Sequence, residues 1–378
     1  MTSAPPALIL HVFPSFAVGG AQMRMATLAN RFGPRFRHAI IALDQQTACR
    51  DRLDPQLDVQ LIAPPTPARA LPARLRAIRA LLRRIAPDLL ITSNWGAIEW
   101  AMARPLARIA RHIHTEDGFG PEEHQTQLPR RVLTRRLVLR QSDIVVPSTL
   151  LHQAARNIWR LPEPRIHYIP NGIDLTRFTP NPSLAISRAN PGRADPGLTI
   201  LCVAGLRPEK NIARLLRALA LARLNPAPHL LIAGDGPERA ALQTLATDLA
   251  LKVTFLGNIA DPAPLYQTAD LFALSSDTEQ MPLSVIEAMA SGLPVIATAV
   301  GDISAMVAEA NLPLLTAPND QALADALAQA HRLDRAMIGA ENRRKAERLF
   351  DVAVMTAQWQ DLLAQTSLRA EAPRPRLR

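Results

Sequence analysis

The sequence is poor in aromatic residues and in lysine. Aromatic side chains make up 4% of the 378 residues, and only three of the 43 basic residues are lysines, namely Lys210, Lys252 and Lys345. Proteins that bind single-stranded nucleic acids combine basic grooves with aromatic side chains on which the bases stack. No basic run of this chain is interleaved with such rings. We therefore expect no nucleic-acid partner, although the net charge is +10.

Cysteines and long apolar runs are also scarce. Cys49 and Cys202 lie in separate halves of the chain without metal-ligand spacing, so we interpret both as structural thiols. No window reaches the roughly 18 uninterrupted apolar residues that a membrane-spanning helix needs. The first residues carry no charged leader and read better as a β-strand. We expect a cytoplasmic protein.

The length and the order of apolar segments predict two domains of α/β type. A chain of 378 residues exceeds what one hydrophobic core usually supports. Buried strands alternate with amphipathic helices, which is typical of doubly wound parallel sheets. The composition of residues 180–197, rich in Pro, Asn, Ser and Gly, is that of a linker. We place one domain at residues 1–175 and the other at 176–352.

The clearest local pattern lies between Asp270 and Asp302. Asp270–Ser275 is a short apolar run of strand length, Met281–Ala290 has helical apolar spacing, and Leu293–Thr298 reads as another buried strand. Gly292 follows the helix as a C-terminal cap. A unit of this kind builds a parallel sheet and leaves free N–H groups of the helix start at its carboxyl edge, where anions bind.

Two carboxylates accompany this predicted anion site. Glu279 lies in the loop, and Glu287 follows eight residues later in the helix. A carboxylate beside a phosphate is electrostatically unfavourable, but it accepts hydrogen bonds from hydroxyls of a ribose or a sugar ring. The pair therefore indicates a nucleotide-sugar site. For either residue alone, helix capping or a solvated surface position is an equally ordinary explanation.

Together these residues resemble the E-x7-E motif of the retaining GT-B glycosyltransferases of the family 4 type. The resemblance continues through EAMASGLPVIAT and Val300-Gly301. It implies two Rossmann-like domains facing a central cleft, with a final helix at about residues 353–366 packing back on the first domain. It also implies a nucleotide-sugar donor, most often a UDP- or GDP-sugar. The donor would be held by Glu279, Glu287 and the intervening backbone, and we add Gln280, Met281, Pro282 and Leu283 to the donor site.

The loop Gly205–Asn211 resembles the G-R-L-x-x-x-K segment with which the family holds the diphosphate. Lys210 matches the lysine, whereas Gly205 stands in the place of the arginine. We expect Arg207, two residues further on, to supply the missing charge. No DxD-type metal motif stands out, and we expect neither metal nor cofactor. Gly234, in a tight loop after another strand, joins the donor site by resemblance.

Candidate residues also follow the strands of the first domain. Gly19 and Gly20 form a diglycine loop before a helix, which we assign to the donor side. Asn94 and Trp95 follow a strand and are acceptor-side candidates, as is Glu116. His114 resembles the family's histidine that approaches the donor sugar, so we count it as catalytic with Glu279 and Lys210. Many relatives carry a second histidine where this chain has Asp117.

Two arginine-rich segments, Pro72–Ile85 and Pro129–Arg140, have apolar residues at helical spacing. Segments of this kind bind the anionic surface of a membrane. A surface helix that packs its apolar stripe on the sheet and solvates its arginines explains the pattern as well. We expect a glycan or lipid-linked acceptor, with the protein peripheral at the inner face of the membrane.

The expected activity is transfer of a sugar to an acceptor hydroxyl with retention of anomeric configuration, in the synthesis of surface polysaccharide, lipopolysaccharide or glycolipid. Two alternatives remain open from the sequence. A nucleotide-sugar epimerase can share the fold, and a catalytically silent partner subunit is suggested by Gly205.

Overall fold

The chain forms two compact units. The computed structural model describes residues 6–371, apart from positions 67, 108, 110, 120–122, 124–125, 181–196 and 331, and describes side chains of the last helix as far as residue 364. The first unit runs to Pro170 and takes up the chain again at Met355; the second unit is Asn171–Val354. The predicted linker lies almost wholly outside the described residues.

The first unit is a parallel sheet of seven strands in the order β3-β2-β1-β4-β5-β6-β7. Its strands are β1 Ala7–Phe13, β2 Phe36–Ala42, β3 Val59–Leu61, β4 Leu89–Ser93, β5 His112–Thr115, β6 Asp143–Val146 and β7 Ile166–Tyr168. Its helices are α1 Gly20–Phe32, α2 Leu71–Ile85, α3 Ile98–Ala107, α4 Pro129–Val138 and α5 Thr149–Gln153, which continues as a π turn over Ala154–Ile158.

Apolar side chains cover both faces of this sheet. Leu10, Val12 and Leu90 pack against Ile78 and Leu82 of α2, and a second cluster joins strands β1 and β2 to α1. Because both faces are covered, the central strands are almost continuously apolar, as parallel sheets require. The parallel register also brings the ends of β1, β4 and β5 to one edge.

The second unit is a parallel sheet of six strands in the order β10-β9-β8-β11-β12-β13. Its strands are β8 Thr199–Val203, β9 His229–Ala233, β10 Val253–Gly257, β11 Leu271–Leu274, β12 Val295–Thr298 and β13 Leu315–Thr316. Its helices are α6 Ile212–Ala222, α7 Arg239–Asp248, α8 Ala263–Thr268, α9 Leu283–Ala290, α10 Ile303–Met306, α11 Asp320–Ala330 and α12 Arg335–Leu349. The last helix, α13 Val352–Glu371, begins within the last residues of the second unit.

The second sheet is likewise buried on both faces. One core cluster packs α6, α7 and α11 on strands β8 and β9, and the other packs α9 on β11 and β12. Adjacent strands β8 and β11 lie where the strand order reverses. Ligands of open α/β sheets bind beside the carboxyl ends of such strands. The predicted class, two doubly wound parallel sheets of the GT-B type, is confirmed.

None of the helices in the described parts of the chain combines the length and apolar character that crossing a bilayer requires.

Candidate active site

The side chains of Lys210 and Glu279 meet at the carboxyl edge of the second sheet. Lys210 follows β8 and Glu279 follows β11, which are neighbouring strands. Lys210 Nζ donates to Glu279 Oε1 over 2.6 Å, and Ser276 Oγ donates to the same oxygen over 2.7 Å. The side chains are 18% and 8% exposed. The structure thus brings together two residues, 69 positions apart, that the sequence assigned to one site.

The two loops that carry this pair are hydrogen-bonded to each other. Ser275 Oγ donates to the carbonyl oxygen of Asn211 over 2.9 Å, and Asp277 N donates to Glu209 O over 2.9 Å. Arg214 of α6 donates to Ser275 O and forms an ion pair with Asp277 at 2.6 Å. Because these bonds join α6 and the loop before it to the loop after β11, the ammonium group and the carboxylate are held in place.

Two glycines of the site are required by close backbone packing. At Gly234, with φ +139°, a Cβ atom would lie 1.9 Å from the carbonyl oxygen of Ala204. At Gly301, with φ +61°, it would lie 2.3 Å from the carbonyl oxygen of Glu279. Asp302 N also donates to Gln280 O over 3.0 Å. Gly234 therefore supports the loop after β8, and Gly301 supports the loop that carries Glu279.

The side chain of Arg207 folds over Gly205. A Cβ atom built at Gly205 would lie 3.5 Å from Arg207 Nε, so the guanidinium occupies the space that a side chain at position 205 would enter. Arg207 is 59% exposed and forms an ion pair with Glu209 at 3.0 Å. This geometry supports the hypothesis that Arg207 replaces the arginine absent from position 205.

Helix α9 begins two residues later than the sequence pattern predicts. Pro282 precedes it in extended backbone, at φ −68° and ψ 122°, so the first helical residue is Leu283. Gln280 and Met281 lie between Glu279 and this helix start. Asn171 holds the segment, since its side-chain amide donates to Met281 O over 3.4 Å.

Glu287 lies in α9 with its carboxylate bonded to a buried tyrosine. The hydroxyl of Tyr266 donates to Glu287 Oε2 over 2.7 Å, and Tyr266 is fully buried. Burial raises the pKa of Glu287, while the Tyr266 hydrogen bond and the charge of Arg177 lower it. Arg177 itself is paired with Asp261 at 2.7 Å. Glu287 is thus a half-buried acceptor with one oxygen already engaged.

In the first unit, His114 is fully buried in a chain of hydrogen bonds. Thr92 Oγ1 lies 2.8 Å from His114 Nδ1 and 2.8 Å from His112 Nε2, and His112 Nδ1 lies 2.6 Å from Ser142 Oγ. Burial lowers the pKa of His112 well below its ordinary value. His114 Nε2 lies 3.6 Å from Glu116 Oε2, beyond hydrogen-bond distance, and has no hydrogen-bond partner among the described residues.

Glu116 and Trp95 both contact the buried side chain of Arg135. Arg135 Nε donates to Glu116 Oε2 over 3.2 Å, and its other nitrogens bond to Glu123. The Arg135 guanidinium lies 5.1 Å from the ring centre of Trp95 and 5.0 Å from that of Trp159. This paired, aromatic-lined guanidinium anchors the loop after β5 to α4.

Asn94, Asp117 and Arg24 tie three loops of the first unit together. Arg24 of α1 forms a bidentate ion pair with Asp117 at 2.5 and 2.8 Å, and Asp117 N donates to Asn94 Oδ1 over 2.7 Å. Asn94 adopts φ +58°, which costs a non-glycine residue conformational energy and is typical of functional positions. Asp117 thus serves as the partner of an arginine.

Gly19 and Gly20 lie where the sequence placed them, at the start of α1. Gly19 is the N-cap residue, and its carbonyl oxygen accepts from Met23 N over 2.8 Å. The helix has no acidic residue in its first turn. This end of α1 therefore keeps the positive potential of its N–H groups.

The arginine-rich segments differ from their predicted form. In α2 the apolar residues Ile78, Leu81 and Leu82 are buried against the sheet, so that face is not available to a membrane. In α4, Arg135 is buried and pairs with the glutamates, which corrects its assignment to a basic surface. The exposed residues of α4 instead include two leucines, Leu133 at 56% and Leu137 at 68%, and two arginines, Arg130 and Arg136; Arg140, just beyond the helix, is exposed as well.

Sequence reasoning missed the residues that hold the site's carboxylates and backbone. Ser276 bonds Glu279, Tyr266 bonds Glu287, and Asn171 bonds the backbone of Met281. Asn171 lies close to the boundary that we placed between the two domains, and no pattern there assigned it to the site. For Tyr266 the spacing to Glu287 gives no signal.

Two family models match the chain. "Glycosyltransferase Family 4" matches residues 18–177, and "Glycosyl transferases group 1" matches residues 185–346. The first match covers the loops of the first sheet, and the second covers Lys210, Glu279 and Glu287.

Several curated proteins and solved structures are similar. The D-inositol 3-phosphate glycosyltransferase of Nocardia farcinica is 35% identical over 269 residues, 64% of this chain and 58% of that protein. The GDP-mannose-dependent alpha-(1-6)-phosphatidylinositol monomannoside mannosyltransferase of Mycobacterium tuberculosis (strain CDC 1551) is 30% identical over 234 residues, 57% of this chain and 60% of that protein. The match thus spans less than two thirds of these relatives. Anabaena Alr3699/HepE, in complex with UDP and glucose, has the same fold, with TM-score 0.78, 23% identity, and 95% and 99% of the two chains covered.

Proposed function

The chain belongs to the GT-B glycosyltransferases of the family 4 type, and we propose that it moves a sugar from a nucleotide-sugar to an acceptor hydroxyl with retention of anomeric configuration. The observation that carries this proposal is the contact of Lys210 with Glu279 at the carboxyl edge of the second sheet. A cation for a diphosphate and an acceptor for sugar hydroxyls lie side by side there, which is what a nucleotide-sugar requires.

Each residue of this edge has a separate role. Lys210 neutralises the charge that develops on the departing nucleoside diphosphate, because an ammonium group in a sheltered site stabilises that charge strongly. The N-terminus of α9, from Gln280 to Leu283, adds its N–H groups, and Arg207 adds a second cation. When the donor binds, Lys210 exchanges Glu279 for phosphate oxygens. Glu279 is then free to accept hydrogen bonds from the transferred sugar.

Glu287 is assigned to the ribose of the donor. Its carboxylate accepts hydrogen bonds from ribose hydroxyls, and a hydrogen bond to a charged acceptor contributes about 1.5 to 3 kcal/mol. Since the cations and helix N–H groups are supplied by the chain, charge neutralisation in this proposal needs no metal. Chelation of divalent cations should then leave the rate unchanged.

We place the acceptor at the inner face of a membrane. The support is the surface of α4, where exposed Leu133 and Leu137 lie among exposed arginines. Apolar side chains enter the interface of a bilayer while arginines attract anionic headgroups. The mannosyltransferase relative acts, by its name, on a phosphatidylinositol derivative. An acceptor linked to a lipid fits both observations.

A catalytically silent subunit is the second candidate, because position 205 is glycine. The position of Arg207 over Gly205 argues for activity instead. A donor panel decides between them: UDP-, GDP- and ADP-sugars are screened by thermal shift, and those that bind are incubated with and without lipid extract. Release of nucleoside diphosphate and a glycosylated product support transfer. Interconversion of the free nucleotide-sugar would indicate an epimerase, and binding without turnover a silent subunit.

A further inference from the structure

Tyr266 stands out among the buried titratable groups because it touches a proposed donor residue without facing the donor. It lies at 0% exposure in helix α8, with its ring between Phe178 and Phe272 at centroid distances of 5.7 and 5.8 Å. Its hydroxyl donates to Glu287 Oε2 over 2.7 Å and lies 3.3 Å from Ser284 O. A buried phenol that donates to a carboxylate fixes that carboxylate's orientation.

We propose that Tyr266 is a positioning residue that sets Glu287 for two adjacent ribose hydroxyls, and so makes the site selective for ribonucleotide over deoxyribonucleotide donors. The proposal rests on the assignment of Glu287 to the donor ribose.

The geometry supports this role in two steps. A carboxylate on a helix rotates about its terminal bond, and each orientation presents different lone pairs to a ligand. The bond from Tyr266 occupies one side of Oε2 and holds one orientation, which leaves Oε1 and the remaining side of Oε2 to accept hydrogen bonds from a ligand. Two ribose hydroxyls then find two acceptors at fixed spacing.

Clamping of the Tyr266 ring by the two phenylalanines keeps this arrangement rigid. The ring stacks on Phe272 with an interplanar angle of 28° and meets Phe178 edge-on at 79°. Both phenylalanines are buried. The hydroxyl therefore has little freedom to leave the carboxylate, so its effect on Glu287 is built in before the nucleotide binds.

The charged groups around Glu287 give a second readout. Burial raises its pKa, and the hydrogen bond from Tyr266 and the charge of Arg177 lower it, while Asp261 raises it. Removing the hydroxyl leaves Arg177 and Asp261 in place and removes one of the lowering effects. Glu287 then loses its charge at a higher pH, and selectivity for ribose is lost at a higher pH with it.

The experiment compares Tyr266→Phe with the wild-type protein in binding UDP, GDP, ADP and their 3′-deoxy counterparts by calorimetry. The wild type should bind the ribonucleotide about 10- to 150-fold more tightly, the range for one hydrogen bond to a charged group. In Tyr266→Phe this ratio should fall at least about threefold, the equivalent of a typical single hydrogen bond. The pH at which half of this preference for the ribonucleotide is lost on acidification should be higher in Tyr266→Phe than in the wild type.

Tyr168→Phe is the matched control, because it removes the same hydroxyl from the other tyrosine, which lies at 39% exposure in strand β7 of the first unit. It should retain the wild-type ratio and the wild-type pH dependence of that ratio. An unchanged ratio and an unchanged pH of half-loss in Tyr266→Phe, with selectivity in the wild type, would overturn the positioning role and leave Glu287 at the ribose. Equal binding of both nucleotides by the wild type would instead overturn the assignment of Glu287 itself.

Discussion

The ammonium group of Lys210 and the carboxylate of Glu279 form a hydrogen-bonded ion pair of 2.6 Å. Each is the other's partner until a donor arrives, so neither charge is left unpaired in a half-buried place. A donor that offers a diphosphate to the lysine and hydroxyls to the glutamate replaces both halves of the pair. The pair therefore favours a ligand that brings both groups at once.

Glu279→Gln is expected to slow turnover more than it weakens donor binding. The amide keeps one acceptor but loses the charge that strengthens hydrogen bonds from the transferred sugar, so kcat should fall roughly 10- to 100-fold. Steady-state kinetics with the best donor of the panel measures kcat and KM separately. Glu309→Gln, at an exposed position of the second unit, is the control. An unaffected kcat would remove Glu279 from the reacting sugar.

The exchange of Arg207 and Gly205 tests where the second phosphate cation comes from. Arg207→Ala should lower kcat/KM about tenfold, since an arginine contact to phosphate is lost. Gly205 lies outside the left-handed backbone region and a Cβ there meets only ordinary contact, so the position accepts an arginine. The double variant Gly205→Arg with Arg207→Ala should then recover most of the activity.

Arg332→Ala, at an exposed position of the same unit, controls for a general loss of charge. Full activity in Arg207→Ala would place the compensating cation elsewhere in the chain.

Stability should fall on acidification because His38 is buried in its neutral form. Burial lowers the pKa of His38 from 6.5 to about 4. The unfolded chain takes up a proton below 6.5 and the folded one does not, so the contribution present above 6.5 is lost as the pH falls toward 4. Each pH unit in this window costs about 1.4 kcal/mol, or roughly 2 kcal/mol by pH 5.

Urea unfolding of the first unit, followed between pH 7 and pH 5, measures this effect. His38→Gln should reduce the pH dependence by the share of His38 and leave that of His11 and His112, whose pKa values burial also lowers. His152→Gln, at a half-exposed helical position, should leave the pH dependence unchanged. A slope that is the same in all three proteins would show that His38 does not cause it.

Much of the fold follows from local pattern: the strands predicted within Asp270–Ser275 and Leu293–Thr298 are observed at Leu271–Leu274 and Val295–Thr298. Helix α9 shows a case in which the spacing of apolar residues does not locate the start of a helix. Met281 fits the helical spacing of apolar residues, yet Pro282 takes an extended backbone and the helix starts at Leu283. The apolar pattern continues through Met281 because its side chain is buried in the core cluster that packs α9 on β11 and β12, although its backbone is not helical.

The candidate site could be predicted only where a local sequence motif carries the residues. The residues Glu279 and Glu287 lie within one motif and were found by their spacing. Arg135 looked like part of a basic face, because its partners Glu116 and Glu123 converge on it only when β5 and α4 pack. Tyr266 bonds Glu287 from another helix, 21 residues away, and no periodicity links them.

Membrane binding should depend on the exposed leucines of α4 and on anionic lipid. The variant Leu133→Ser with Leu137→Ser removes two apolar side chains that are 56% and 68% exposed, and should weaken binding to phosphatidylglycerol vesicles about tenfold. Co-sedimentation with the vesicles at low and at physiological salt measures this binding. Salt screens the attraction between the arginines and the anionic lipid, so binding should be weaker at physiological salt. Leu221→Ser, at 49% exposure in the second unit, should bind as the wild type does.

Phosphatidylcholine vesicles are the second control. Negligible binding of the wild type to both lipids at both salt concentrations would favour an acceptor in solution.

The proposed glycosyl transfer depends on the ammonium group of Lys210, so replacing Lys210 is the most direct test of the proposal. Nucleoside diphosphate release from the best donor of the panel is measured for the wild type, Lys210→Ala and Lys252→Ala, the last altering an exposed lysine of the same unit. Loss of one preorganised group facing the developing charge should lower kcat about 100- to 1000-fold in Lys210→Ala and leave Lys252→Ala unchanged. Release at the wild-type rate by Lys210→Ala would contradict the proposed glycosyl-transfer site.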